Sequence, residues 1–189
     1  MKGSKFRYIA LALTGTFLVA MAACSNPNKE HIETVKSMQT ELQGYEDAVV
    51  VLDAQKIRDM QHEYNLTMNV IKEKYISDTA VGVDQKFGRM ANLYKGIKKS
   101  KGFPVSQENC LNEIATEKTQ LENLLDDLEN QDITNPDSVE YFISLERDAM
   151  NKIKLVANTL ESNYTILQGV QDTVYPYMQG IVDSLNRIR

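Results

Sequence analysis

The C-terminal stretch constrains this chain more than any other part. Met150, Ile153, Ala157, Leu160, Tyr164, Leu167, Gln171, Val174, Met178, Ile181, Leu185 and Ile188 follow one another at alternating steps of three and four. A line of that period lies along one side of a helix and has no counterpart on a strand, where one face repeats every second residue. Pro176 falls inside the run but off the line, which predicts a kink on the outer side rather than a helix end.

The same step recurs upstream. Val35, Met38, Leu42, Tyr45, Val49 and Leu52 make one series, which slips in phase at Asp53-Ala54-Gln55-Lys56. It resumes with Ile57, Met60, Tyr64, Met68, Ile71 and Tyr75. This predicts a first helix over about 28–76 with one irregularity in its middle and an Asn at its cap. Val83, Phe87, Met90, Tyr94 and Ile97 begin a second helix, which Gly102 and Pro104 interrupt near 101–105. Leu111, Ile114, Leu121, Leu125 and Leu128 continue it to about 131, with Lys118 breaking the pattern. Asn135 then offers a cap and Pro136 a first helical position for a third helix over 136–189.

Three stretches of near-equal length joined by short turns at 77–84 and 131–136 predict an all-α fold. The expected form is an elongated, coiled-coil-like, up-down-up antiparallel three-helix bundle, one domain over 28–189, roughly 75 Å long at 1.5 Å per residue. A shorter four- or five-helix bundle, folded at Asp53 and Gly102, is the alternative. Composition agrees with long helices: Trp is absent, with 4 Pro and 9 Gly in 189 residues.

The N-terminus has the layout of an export signal. Lys2, Lys5 and Arg7 precede an apolar run, Tyr8 to Ala23, too short at about 24 Å for the ~30 Å hydrocarbon core. The run ends in Met21-Ala22-Ala23-Cys24, which resembles the lipobox of bacterial lipoproteins, with Met21 where Leu is usual. Cleavage after Ala20-Met21-Ala22, leaving Cys24 unmodified, is the alternative. The resemblance implies a signal peptide over 1–23, a tether over 24–27, and a lipidated Cys24. That residue would carry a diacylglyceryl thioether and an amide-linked acyl chain such as palmitate, enough together to anchor stably. Ser25 stands where some bacteria use aspartate to retain lipoproteins at the inner membrane, so the outer membrane of a Gram-negative cell is the expected location. Lipidation of Cys24 would leave Cys110 without a disulfide partner, a small buried hydrophobe in a chain with 2 Cys.

The formal charge is −5, and removing the three bases of the first 23 residues leaves 18 basic against 26 acidic groups, or −8. That balance opposes nucleic acid as a partner. Catalytic motifs are missing, and no cofactor is implied. His31 and His62 lie 31 residues apart on one helix, about 46 Å in a straight rod, too far to cooperate. The 8 Met fit core filling rather than ligation. Lys95, Lys98, Lys99 and Lys101 read as one solvated face, and Glu117, Glu122, Asp126, Asp127, Glu129 and Asp132 as another. Asp132, Asn135 and Asp137 lack the spacing of a calcium loop. Thr79, Ser138, Thr173 and Ser184 each follow Asp and precede an apolar residue, which resembles the acceptor triplet for O-glycosylation of exported proteins in some bacteria.

Counting from the two turns brings three local faults to one level midway along the rod: Asp53, Gln55 and Lys56; Gly102-Phe103; and the polar patch around Asn163 and Tyr164. They form either a shared bulge that reconciles the helix windings or a binding waist with Phe103 exposed. The expected function is therefore contact rather than catalysis: a structural or protein-binding component of the cell envelope. It would be held to the membrane by its N-terminal lipid and would meet another envelope protein or itself. A small-ligand module with a pocket at the waist is the alternative.

Overall fold

The computed structural model describes residues 26–78, 97 and 100–187. Cys24 with the apolar run before it, Thr79, and the apolar series Val83 to Tyr94 lie outside the described residues. Within them the chain is an all-helical bundle: α1 (Lys29–Val50), α2 (Ala54–Asp78), a 3-10 turn (Ser100–Gly102), α3 (Phe103–Glu129) and α4 (Pro136–Arg187). Among the described residues, no helix is long and apolar enough to cross a membrane.

α1 and α2 are the two halves of the expected first helix, parted where the seam slips. Val51 and Leu52 turn, and Asp53 caps α2 by accepting a 2.8 Å hydrogen bond from the Lys56 amide. The bend leaves Val50 and Val51 exposed while Leu52 turns inward. α4 runs unbroken through 52 residues, about 78 Å, and Pro176 sits inside it on the exposed side. The missing Pro176 N–H faces outward there, where water serves the freed carbonyl, so the helix continues.

Hydrogen bonds define the directions. Arg147 of α4 meets Glu41 of α1, Tyr64 of α2 meets Val170, and Lys74 of α2 meets Asn186. α1 and α2 thus follow α4 in the same order along its length. α3 runs against α1, because its first turn touches the end of α1 and its last turn touches the start.

The core is one continuous cluster. Val35, Met38, Leu42 and Val49 of α1 and Ile57, Met60, Tyr64, Met68 and Ile71 of α2 are buried in it, as the spacing predicts. In α4, Met150, Ile153, Ala157, Leu160, Leu167 and Met178 are buried, joined by Val139 and Val170. At about 25 cal/mol per Å² of apolar surface removed from water, these stripes are the main driving force for assembly.

α3 buries Ile114, Leu121 and Leu128 as expected and departs at two positions, where Cys110 and Leu124 are buried in place of Leu111 and Leu125. Its buried line is Phe103, Gln107, Cys110, Ile114, Glu117, Leu121, Leu124 and Leu128, an unbroken four-three series. Leu111 and Leu125 flank the seam, half-buried, and Lys118 does not interrupt it. The acid Glu117 occupies the seam instead, so the solvated acidic face assumed for it does not hold; its neighbour Glu122 is exposed as expected.

The C-terminal end of α3 is finished by side chains from the residues just before α1 and by a local turn. Asn26 donates through its amide to the carbonyls of Leu128 (3.0 Å) and Glu129 (3.3 Å). Asn28 donates to Leu128 O at 3.3 Å and Ile133 O at 2.8 Å. Asn28 therefore stands at the N-cap position of α1 without capping it; its amide serves the carbonyls that α3 leaves orphaned. Past Leu128 the chain closes a Schellman turn, with Asp132 N to Asp127 O at 2.8 Å and Gln131 N to Leu128 O at 3.4 Å. Gln131 holds the left-handed conformation, φ 61°. At α4, Asn135 accepts from the Ser138 amide at 3.2 Å, with Pro136 at the first helical position.

Glycine carries no Cβ penalty in the left-handed region. Gln131→Gly should therefore raise stability by about 0.5–1 kcal/mol, read as a higher midpoint in urea unfolding with an unchanged slope.

Candidate functional site

The bend between α1 and α2 is where the sequence locates its candidate waist, and the structure brings part of that set together. Phe103 opens α3 and packs on Tyr164 of α4, ring centroids 6.1 Å apart and planes inclined 34°. Phe103 is 4% exposed, so it is a core residue and not the exposed aromatic of the waist expectation. Pro104 lies in the first turn of α3, and the 3-10 turn before it swings Phe103 inward beneath Leu160. Asn163 and Phe103 line one groove of about 330 Å³, with Ser100, Ser106, Val156 and Thr159. Its floor is apolar, and its polar groups are hydroxyls and an amide without formal charge.

Asp53, Gln55 and Lys56 do not join that groove. All three are exposed; Asp53 caps α2, and Gln55 is held by Asp59 (2.6 Å) and Arg58 (2.7 Å) on its own helix. The polar residue that ties the bend to α3 is Gln107, which the sequence reading passed over. Its amide donates to Val49 O at 2.8 Å and Leu52 O at 2.7 Å at the end of α1, where Val49 O also accepts from the Leu52 amide at 3.2 Å. A polar residue at a position in phase with Phe103, Cys110 and Ile114 was the available signal. Two helical turns past the bend, Gln61 donates to Ser100 Oγ at 2.6 Å, and Ser100 Oγ donates to Ile97 O at 2.6 Å.

Two ionisable clusters lie away from the bend. Glu41 of α1 accepts from the Tyr45 hydroxyl and from Arg147 of α4 at 2.9 Å, with Lys154 at 3.8 Å. The Tyr45 hydrogen bond and the two cations hold its carboxyl below the usual range, while burial and Glu41 push Tyr45 up to about 12. These groups are partly solvated, so the cluster orients α1 on α4 more than it stabilises the pair. The second cluster is Glu117 with Glu146, where burial and the neighbouring carboxyl push Glu117 up to about 7.

Cys110 is a buried free thiol raised by desolvation, in keeping with a packing role. Among the described residues no group of three His, Cys, Asp or Glu is arranged to hold a metal ion. Of the triplet hydroxyls, Thr173 and Ser184 donate to Gly169 O at 2.7 Å and Gly180 O at 2.8 Å on exposed turns of α4. Ser138 lies in the first turn of α4, half-buried.

Two substitutions separate packing from surface roles here. Phe103→Ala should cost about 3–5 kcal/mol by emptying a buried aromatic site, while Asn163→Ala should stay within about 0.5 kcal/mol, both read by chemical denaturation. Gln107→Leu should cost about 1–3 kcal/mol, because the carbonyls of Val49 and Leu52 lose the side chain that bridges them, and amide exchange at residues 49–57 should quicken with it. No family model, curated protein or solved structure matches this chain.

Proposed function

We propose that this chain is a lipid-anchored, extracytoplasmic helical rod that acts by contact, as a structural or protein-binding component of the bacterial cell envelope. The observation that carries the reading is the junction at its N-terminal end. An apolar run behind Lys2, Lys5 and Arg7 stops at Met21-Ala22-Ala23-Cys24, and two residues later Asn26 is already bonded to Leu128 and Glu129. A lipid on Cys24 would therefore sit against the α3–α4 turn with almost no slack. The far end, beyond Lys74 and Asn186, would project away from the bilayer.

The finer architecture follows from the same reasoning. The proposed architecture is an elongated up-down-up three-helix bundle roughly 75 Å long. A rod of this kind offers long helical faces to a partner and holds a fixed direction relative to the membrane. The expected location is the outer membrane, and the expected partner is another envelope protein or a second rod. Glycans on Ser138, Thr173 or Ser184 would add sugar mass to the exported form.

A second reading has its own support in the groove at the bend. Phe103, Val156 and Leu160 floor it, and Ser100, Ser106, Thr159 and Asn163 ring it without formal charge. That chemistry suits a small, uncharged, amphiphilic ligand.

The test is the chain with Cys24 intact against Cys24→Ser, expressed in a Gram-negative host with labelled fatty acid. The intact chain should take up label, gain the mass of the lipid and stay with membranes at high salt. Cys24→Ser should lose all three. Equal recovery of both forms from the soluble fraction would refute the anchor. Crosslinking should join the α3–α4 turn, and not residues near 78, to lipid.

A further inference from the structure

Glu117 is 3% exposed at a seam position of α3, between Ile114 and Leu121. A carboxyl there replaces an apolar side chain, so something must satisfy it or neutralise it. From α4 it faces Glu146, whose carboxyl is within hydrogen-bonding reach. Three of the cations at this level are engaged elsewhere. Arg147 and Lys154 of α4 turn to Glu41 of α1, where Tyr45 also bonds. Lys118 of α3 turns to Gln43 and Glu46 of α1. Glu113 of α3 and Lys152 of α4 line the groove beside the pair, and among the described residues no ion pair reaches Glu117 or Glu146.

We infer that Glu117 and Glu146 share one proton, and that this proton latches α3 to α4. When it is bound, the O–H of one carboxyl donates to the other and the seam closes over both. When it leaves, two carboxylates face each other without a cation, and the helices separate locally to admit water. The second oxygen of Glu117, Oε1, is buried with no hydrogen-bond partner, so the closed seam already leaves one acceptor unsatisfied. Water has a route in, because a groove of about 500 Å³ between α3 and α4 is lined by Glu117 itself with Asn112, Thr116 and Ala149.

The direction with pH follows from linkage. Burial and Glu146 raise Glu117 to about 7 from its ordinary 4.5, so the folded state holds the proton more tightly than the unfolded chain. Its contribution is fully present below about 4.5, declines above that, and is lost as the pH passes about 7. The latch is closed in mildly acidic surroundings and released in alkaline ones.

The experiment compares the purified full chain with Glu117→Gln, Glu146→Gln and the exposed control Glu122→Gln at pH 5 and pH 8. Gln keeps the shape and cannot ionise. The wild type and the control should lose about 5 °C more of melting temperature between the two pH values than Glu117→Gln, and Glu146→Gln, which keeps Glu117 buried, should fall between them. Amides of residues 114–121 and 146–153, corrected for intrinsic exchange, should lose protection at pH 8 in the wild type but not in Glu117→Gln. A second reading needs no variant: carbon-detected titration of wild-type glutamates should show one carboxyl with a midpoint above pH 6. The latch is refuted if Glu117→Gln keeps the wild-type pH dependence, if seam protection is unchanged at pH 8, or if every glutamate titrates near its ordinary value.

Discussion

The structure depends on a pair of amide clamps that set the register of α1 against α3. At one end, Asn28 holds Leu128 O; at the other, Gln107 holds Val49 O. The intervals match: Asn28 to Val49 spans 49 − 28 = 21 residues, and Gln107 to Leu128 spans 128 − 107 = 21. Twenty-one residues are three heptads, so both clamps fall on the same phase of the seam. Apolar stripes alone do not choose among registers seven residues apart, since a heptad slip returns apolar to apolar. A slip here would bury two amides away from their carbonyls, and each unsatisfied buried group costs about 1–3 kcal/mol. Hydrophobic burial makes the helices associate; the amides make them associate in one way.

With the register set, α4 falls into place as the long member against which the bend is measured. Glu41 meets Arg147 and Tyr64 donates to Val170 O, the same offset of 106 residues on either side of Asp53. The bend thus changes direction between α1 and α2 without losing step along α4. Tyr64 shows how: it is fully buried, sends its hydroxyl to a backbone carbonyl, and rests edge-on against Tyr175 at 5.2 Å. Desolvation and nearby acidic groups raise its phenol well above the ordinary value, so it serves as a neutral donor. The end of α1 and the end of α3 are each met by polar side chains from elsewhere in the chain, Gln107 at the first and Asn26 and Asn28 at the second.

Much of this was legible in the sequence, and the failures share a cause. The seams of α1, α2 and α4 are apolar at nearly every inward position, so periodicity alone located Val35 through Ile71 and Met150 through Met178. In α3 the periodicity finds Ile114, Leu121 and Leu128 but not the whole seam, because two inward positions are Gln107 and Glu117, while Leu111 and Leu125 beside the seam are apolar. A rule that equates apolar with inward picks the flanking leucines and discards the two polar residues. Counting from the turns pairs Phe103 with Tyr164, which are in contact near the bend. The members of the expected waist were mixed, because Asp53, Gln55 and Lys56 owe their polarity to helix starting and solvent, whereas Phe103 and Tyr164 pack on each other.

The sequence by itself determined the helical class, the helix start at Asn135-Pro136, and the phase slip at Asp53 that becomes the bend. Those follow from local physics: period, capping and the backbone limits of proline. Only the tertiary structure decided which polar side chains cross between helices. Whether Asn28 caps its own helix or its neighbour's end depends on where a carbonyl 100 residues away comes to rest. Whether Glu117 is solvated or sealed against Glu146 likewise depends on which face of α3 meets α4. Pairing between distant segments is set by mutual burial, and no single stretch of chain contains that information.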